Sequence, residues 1–136
     1  MIAARMLILV VLALALVGCT NKPTTLNPVK GKVSYKGAPL HTGLIVFTPD
    51  SSRGETGKIA FSKIKEDGTY VIYTGEAAGV TAGWYRVTVA SLSGNDATYD
   101  STPISLIPDK YRDPLLSQLQ CEVKGNVENH LNFNLD

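Results

Sequence analysis

Two thiols, two imidazoles and one indole are the side chains of this 136-residue sequence with the richest chemistry. A thiol offers a nucleophile or an acylation point, and an imidazole offers a base or a metal ligand. His41 falls in a turn and His130 on the polar face of the last strand-like run, so both read as solvated. A zinc site needs three or four ligands at suitable spacing, and no HxH, HExxH or CxxC occurs, so neither metal nor cofactor is expected. Cys121 alternates in phase with Leu119 and Val123 and therefore reads as a buried apolar thiol. A Cys–His nucleophile pair would need that thiol exposed and its pKa lowered. No Gly-x-Ser-x-Gly elbow or phosphate-cradling glycine loop is present. Asp96, Asp100, Asp109 and Asp113 lack the one-three-five spacing of a calcium loop. These residues assemble no catalytic set, and the expectation is a chain that is not an enzyme.

Binding has better candidates. Trp84 and Arg86 alternate with Tyr85, so they share the face opposite to it. A Trp beside an Arg suits a sugar or peptide platform. The plainer reading is that Trp84 caps the edge of the core or packs under a long loop. Tyr99, inside the polar segment 91–103, is the aromatic residue a partner would use there, unless it is simply solvated.

The remaining thiol, Cys19, is defined by what precedes it. Arg5 and the terminal amine form a short positive region, and Met6 to Val17 contain no polar side chain. That is the layout of an export signal, with the small residue Gly18 at the end. The apolar run falls short of the roughly 20 residues a helix needs to cross a bilayer. The order Leu16-Val17-Gly18-Cys19 resembles the bacterial lipobox, whose cysteine is acylated and becomes the new terminus after cleavage. In an ordinary secretory leader Cys19 would be incidental. The resemblance implies a signal at 1–18 with Leu16, Val17 and Gly18 recognised by the signal peptidase, lipid on Cys19, and attachment to a membrane. One acyl chain holds only marginally, at about 0.8 kcal/mol per buried methylene, whereas several hold stably. By resemblance to known lipoprotein sorting rules, Thr20 in place of aspartate implies the outer membrane of a bacterial envelope.

Beyond the leader the charges balance: 13 Lys+Arg less Arg5 leaves 12, against 12 Asp+Glu. No block of like charge occurs, which argues against a nucleic-acid partner. With Cys19 committed to lipid, Cys121 has no partner within the chain, and stability must come from an apolar core.

The elements that would position these residues follow from periodicity. Residues 19–28 are rich in Asn, Thr and Pro and read as a lipidated tether. From Val29 the period is two: Val29, Gly31, Val33 and Tyr35 face one way and Lys30, Lys32, Ser34 and Lys36 the other. Gly37-Ala38-Pro39 interrupts this strand and returns Leu40 to the core. Leu44 to Phe47 is apolar on both faces, as an interior strand would be, and Pro49 to Gly57 is a polar loop. Between Lys58 and Lys65 the apolar face is expected to be Ile59 and Phe61, with Lys58, Ala60 and Ser62 opposite. Asp67-Gly68 predicts a hairpin, and Gly75 to Gly83 a small, flexible link. Trp84 to Ala90 follows with Tyr85, Val87 and Val89 inward. Asp109 to Gln118 has room for one helical turn, and a second hairpin is expected around Gly125-Asn126 between Cys121 and Phe133. About seven strands without a long helix predict an all-β, antiparallel sandwich over residues 29–136.

The ordered motifs carry a second resemblance. Gly31-Lys-Val33-Ser-Tyr35-Lys-Gly37-Ala-Pro39-Leu40, the DGxY of Asp67 to Tyr70 and Gly83-Trp84-Tyr85-Arg86-Val87-Thr88-Val89 resemble the carboxypeptidase-regulatory-like (transthyretin-like) β-sandwich domains. The tail from Ile107-Pro108 to Leu135 is similar to small bacterial lipoproteins bearing that domain. The resemblance implies a prealbumin-like sandwich and no activity. Transthyretin-related hydroxyisourate hydrolases end in Tyr-Arg-Gly-Ser, and the Asn132-Phe133-Asn134-Leu135-Asp136 ending here departs from them. The expected protein is a lipid-anchored binding or structural module of the cell envelope with a protein or glycan partner. The alternative is an accessory domain for an envelope peptidase, glycan hydrolase or transport assembly.

Overall fold

The structure, a computed structural model, describes residues 24–94 and 102–136. Among them the chain forms β1 (Val29–Tyr35), β2 (Ala38–Pro39), β3 (Leu44–Pro49), β4 (Ala60–Lys63), β5 (Thr69–Val71), β6 (Tyr73–Thr74), β7 (Ala77–Ala78), β8 (Gly83–Ala90), β9 (Leu119–Val123), β10 (Asn129–His130) and β11 (Phe133–Leu135). Short 3-10 turns at Ser51–Arg53 and Asp109–Arg112 are the helical elements described. The chain is all-β, with two sheets rich in antiparallel pairs.

One sheet is built on β1, with β10 and β11 along one side and β2 and β5 along the other. The second runs β7-β6-β4-β3-β8-β9 and is antiparallel throughout. A single core joins them. Phe47 of β3 is fully buried and lies edge-on to Phe133 at 6.1 Å, with the rings of Tyr70 and Tyr85 also packed against it. Around these rings sit Val29, Val33 and Leu135 from one sheet and Ile45, Val87, Val89, Cys121 and Val123 from the other. The inward sets expected of β1, β8 and β9 are the ones found.

Several expectations are corrected. Between Lys58 and Lys65 the inward set is Ala60 and Ile64, while Ile59 and Phe61 are 55% and 49% exposed. Register decides this: Ala60 lies opposite the buried Phe47 and Phe61 opposite Val46, and paired residues share a face. On β3 likewise only Ile45 and Phe47 are buried, and Leu44 is exposed, although the strand does lie inside its sheet.

The two glycine turns do not close two-stranded hairpins. The Lys65 amide donates to Thr69 at 2.9 Å across the Asp67-Gly68 turn, yet β4 belongs to the second sheet and β5 pairs with β1. The turn passes the chain between sheets, because Tyr70 can then enter the core from the far side. After Ile72 the chain crosses back to pair β6 with β4. The Gly125-Asn126 turn makes the same kind of crossing, from β9 to β10.

That second crossing makes β10 and β11 parallel to β1, so the fold is not purely antiparallel. Two buried asparagines pin it. The Asn27 carboxamide oxygen accepts from the Asn126 amide at 2.7 Å, and Asn129 accepts from the Lys124 amide at 2.8 Å while donating to the Lys124 carbonyl at 3.0 Å. Asn27 is thus packed within the fold, bridged to Val80 although it precedes Val29.

The strand number is eleven rather than about seven: the sheet change at Ile72 divides β5 from β6, the bulge at Leu131 divides β10 from β11, and β2 and β7 are two-residue strands in segments read as a turn and a link. The link 75–83 is itself structured: β7 pairs with β6, and Val80 is 1% exposed.

Between β10 and β11 the chain bulges at Leu131, whose carbonyl receives the Tyr70 hydroxyl. A Cβ on Gly31 would sit 1.7 Å from that carbonyl oxygen, so only glycine allows the approach.

Candidate functional site

Strand β8 sets Trp84 and Arg86 on the outward face of the second sheet, two residues apart, as the alternation requires. Cross-strand neighbours on β9 are Glu122 beside Trp84 and Gln120 beside Arg86. The loop following β3 folds back over this pair, and Asp50 starts it. Its amide donates to the Trp84 carbonyl at 2.9 Å, and its side chain points inward, 3% exposed.

The Asp50 carboxylate organises the cluster. It accepts from the Ser52 amide at 3.1 Å and from the Ser52 hydroxyl at 2.6 Å, which caps the Ser51–Arg53 turn. The same oxygen accepts from Arg86 Nε at 3.0 Å, and Arg53 Nε lies 3.5 Å from the other. The Ser52 hydroxyl, then Arg86, hold the carboxyl below its usual range against the opposing effect of desolvation. The turn ends on Gly54 in the left-handed region at φ 77°.

Both arginines make further contacts. Arg86 also donates to the Ser52 hydroxyl at 3.2 Å and reaches the Pro114 carbonyl at 3.5 Å. Arg53 lays its guanidinium 3.9 Å over the Trp84 ring centre and donates to Gln120 at 3.4 Å. Glu55 completes the frame, accepting from the Trp84 amide at 3.1 Å. It comes so close to Gly83 that a Cβ there would meet its carboxylate at 2.7 Å. The result is a surface of guanidinium stacked on indole, with Arg53, Arg86, Asp50 and Glu55 balanced in charge.

Sequence reasoning brought Trp84 and Arg86 together and the structure keeps them together. Tyr99 lies outside the described residues, as do Leu16, Val17, Gly18, Cys19, Asp96 and Asp100. What covers Trp84 is Arg53 of the loop 49–57. Asp50, Ser52 and Arg53 were missed, although Asp-Ser-Ser-Arg-Gly has the form of a capped turn closed by glycine.

The other chemical groups stand apart. Cys121 is buried in the core, and burial pushes its thiol up to about 12. His130 is exposed and 2.6 Å from Glu128, which Lys30 also meets at 2.7 Å. These contacts, Lys30 first, hold the Glu128 carboxyl below its usual range. His41 is exposed, its Nδ1 2.6 Å from the Glu66 carbonyl. Asp113 caps its own turn through the Leu115 and Leu116 amides, and Asp109 pairs with Arg112. Among the described residues no group of three or more His, Cys, Asp or Glu is placed to hold a metal ion. Nor is any helix among them long and apolar enough to cross a membrane.

Comparison with models of protein families, with curated proteins and with solved structures finds no match.

Proposed function

We propose that this chain is a lipid-anchored, non-enzymatic binding or structural module of the bacterial cell envelope. Its two sheets would form a prealbumin-like sandwich of the carboxypeptidase-regulatory-like kind. The observation that carries the reading is Leu16-Val17-Gly18-Cys19 at the end of a leader that is first charged and then wholly apolar. The sandwich part is supported by the order of the motifs and by two sheets closing over one core, with Tyr70 of the DGxY turn bonded across to Leu131. The binding part is supported by the Arg53–Trp84–Arg86 surface, which is preorganised by Asp50 and therefore loses little side-chain entropy on meeting a sugar or peptide.

The test is expression of the full chain in a bacterium, followed by membrane fractionation and mass analysis of the peptide that starts at Cys19. The expected product carries acyl chains on that residue and fractionates with membranes, and Cys19→Ser leaves an unacylated chain. Equal membrane recovery of the two, with no acyl mass, refutes the anchor.

A further inference from the structure

We propose that the outward face of β4 and β6, built from Phe61 and Tyr73 with Ile59 just ahead of β4, rests on the lipid surface to which the chain is moored; this inference depends on the acylation of Cys19. The three side chains are 55%, 49% and 41% exposed. Phe61 and Tyr73 are direct cross-strand partners, and Val46 is the next residue in the same row. Phe61 and Tyr73 side by side on the sheet, with exposed Ile59 two residues before Phe61, form the kind of patch that marks an interaction surface.

The path of the chain says which surface. Asn27 is paired with Val80 in both directions, at 2.7 and 3.0 Å, directly after the edge strand β7. Before it, Thr24 and Leu26 line a groove of about 460 Å³ with Lys58, Thr74 and Ala77. The N-terminal segment therefore leaves the fold along the β7 edge, one strand from Tyr73. From Cys19 to Thr24 there are five residue steps, which reach at most about 18 Å. Six strands at about 4.8 Å make the second sheet broader than that reach. The β7–β6–β4 side is consequently the side held next to the lipid.

The composition of the face agrees. Tyrosine suits the headgroup level, with its ring in acyl chains and its hydroxyl in water. Lys63 projects from the same face of β4 as Phe61, placed to meet phosphate oxygens. Glu76, at the tip between β6 and β7, is the acidic residue on that edge, so attraction to anionic lipid is modest and apolar insertion dominates.

The experiment reconstitutes the acylated full chain into vesicles of phosphatidylcholine carrying bromine on the acyl chains. Trp84→Phe removes the native indole, and Phe61→Trp or Leu116→Trp places a single reporter. Leu116 is an exposed control two residues after Pro114, whose carbonyl Arg86 of β8 reaches. Quenching at position 61 should exceed that at position 116 by about twofold or more, since a docked ring sits about 5–10 Å into the boundary. Vesicle-bound, acylated protein quenched no more at 61 than at 116 overturns the docked face and leaves the anchor standing. Protection of position 61 from aqueous quencher without bromine quenching, as pairing with a second copy would give, overturns it too. A chain that is never acylated and does not sediment with vesicles overturns both.

Discussion

The guanidinium of Arg53 lies 3.9 Å above the ring of Trp84, and both are tied to Asp50, Arg53 through its side chain and Trp84 through its carbonyl. A loop and a strand distant in sequence thereby act as one surface. A ligand approaching β8 meets the outer face of the arginine, not a bare indole.

Arg53→Ala uncovers that indole. Trp84 is the only tryptophan, so its emission should shift to the red and its quenching by acrylamide should rise. Loss of a half-exposed cation–π contact costs about 0.5–1 kcal/mol, read from the urea midpoint. Unchanged emission would mean that the stack does not persist in solution.

Asp50 sets the acid limit of the loop. Its carboxyl is held below 3.8 in the fold, first by the Ser52 hydroxyl and then by Arg86. A lowered folded pKa adds stability above the unfolded value, and that stability is lost as pH falls through the folded one. Stability should therefore decline below about pH 3.8 more steeply in the wild type than in Asp50→Asn, which is less stable at pH 7. Thermal unfolding at pH 2.5, 4 and 7 checks this, and parallel curves for the two chains would remove Asp50 from the account.

These residues show what patterning conveys. Alternation gave the inward faces of β1, β8 and β9, where one side is apolar and the other polar. It misled at β4, because Ala60 is small and Ile59 and Phe61 are large, yet register against Phe47 turns Ala60 inward. A turn signal such as Asp67-Gly68 specifies local backbone and not which sheet receives the next strand, so both crossings were invisible. Trp84 and Arg86 were legible as one face. Their organiser was not, since a loop aspartate is ordinary until a fold buries it.

Gly31 tests the bulge between β10 and β11. Gly31→Ala would drive a methyl group onto the Leu131 carbonyl, 1.7 Å away, in backbone that cannot yield without breaking the β1 pairing. The expected result is failure to fold, or a loss well beyond that of Tyr70→Phe, which forfeits one buried bond at about 1–2 kcal/mol. Gly37→Ala is the control: its Cβ meets nothing within 4 Å, and only φ of 81° opposes it, at about 1–2 kcal/mol. Chemical denaturation of the three variants orders them, and a tolerated Gly31→Ala would contradict the bulge.

Cys121 reports on opening of the core. In Cys19→Ser it is the only thiol, buried between the sheets and pushed up by desolvation to about 12. The thiolate is the reactive form, so at pH 8 the folded protein should react with a disulfide reagent far more slowly than a free cysteine, which titrates near 8.5. Its modification should follow unfolding and accelerate across the urea transition. The same shift predicts alkaline behaviour. Well below the free-cysteine pKa both states keep the proton; from there to about 12 the unfolded chain ionises first, and stability falls. Cys121→Ala should flatten that alkaline decline while lowering stability at pH 7, where the lost sulfur leaves a gap beside Tyr85 and Val123. Rapid labelling in native buffer would show instead that solvent reaches the thiol between closed sheets.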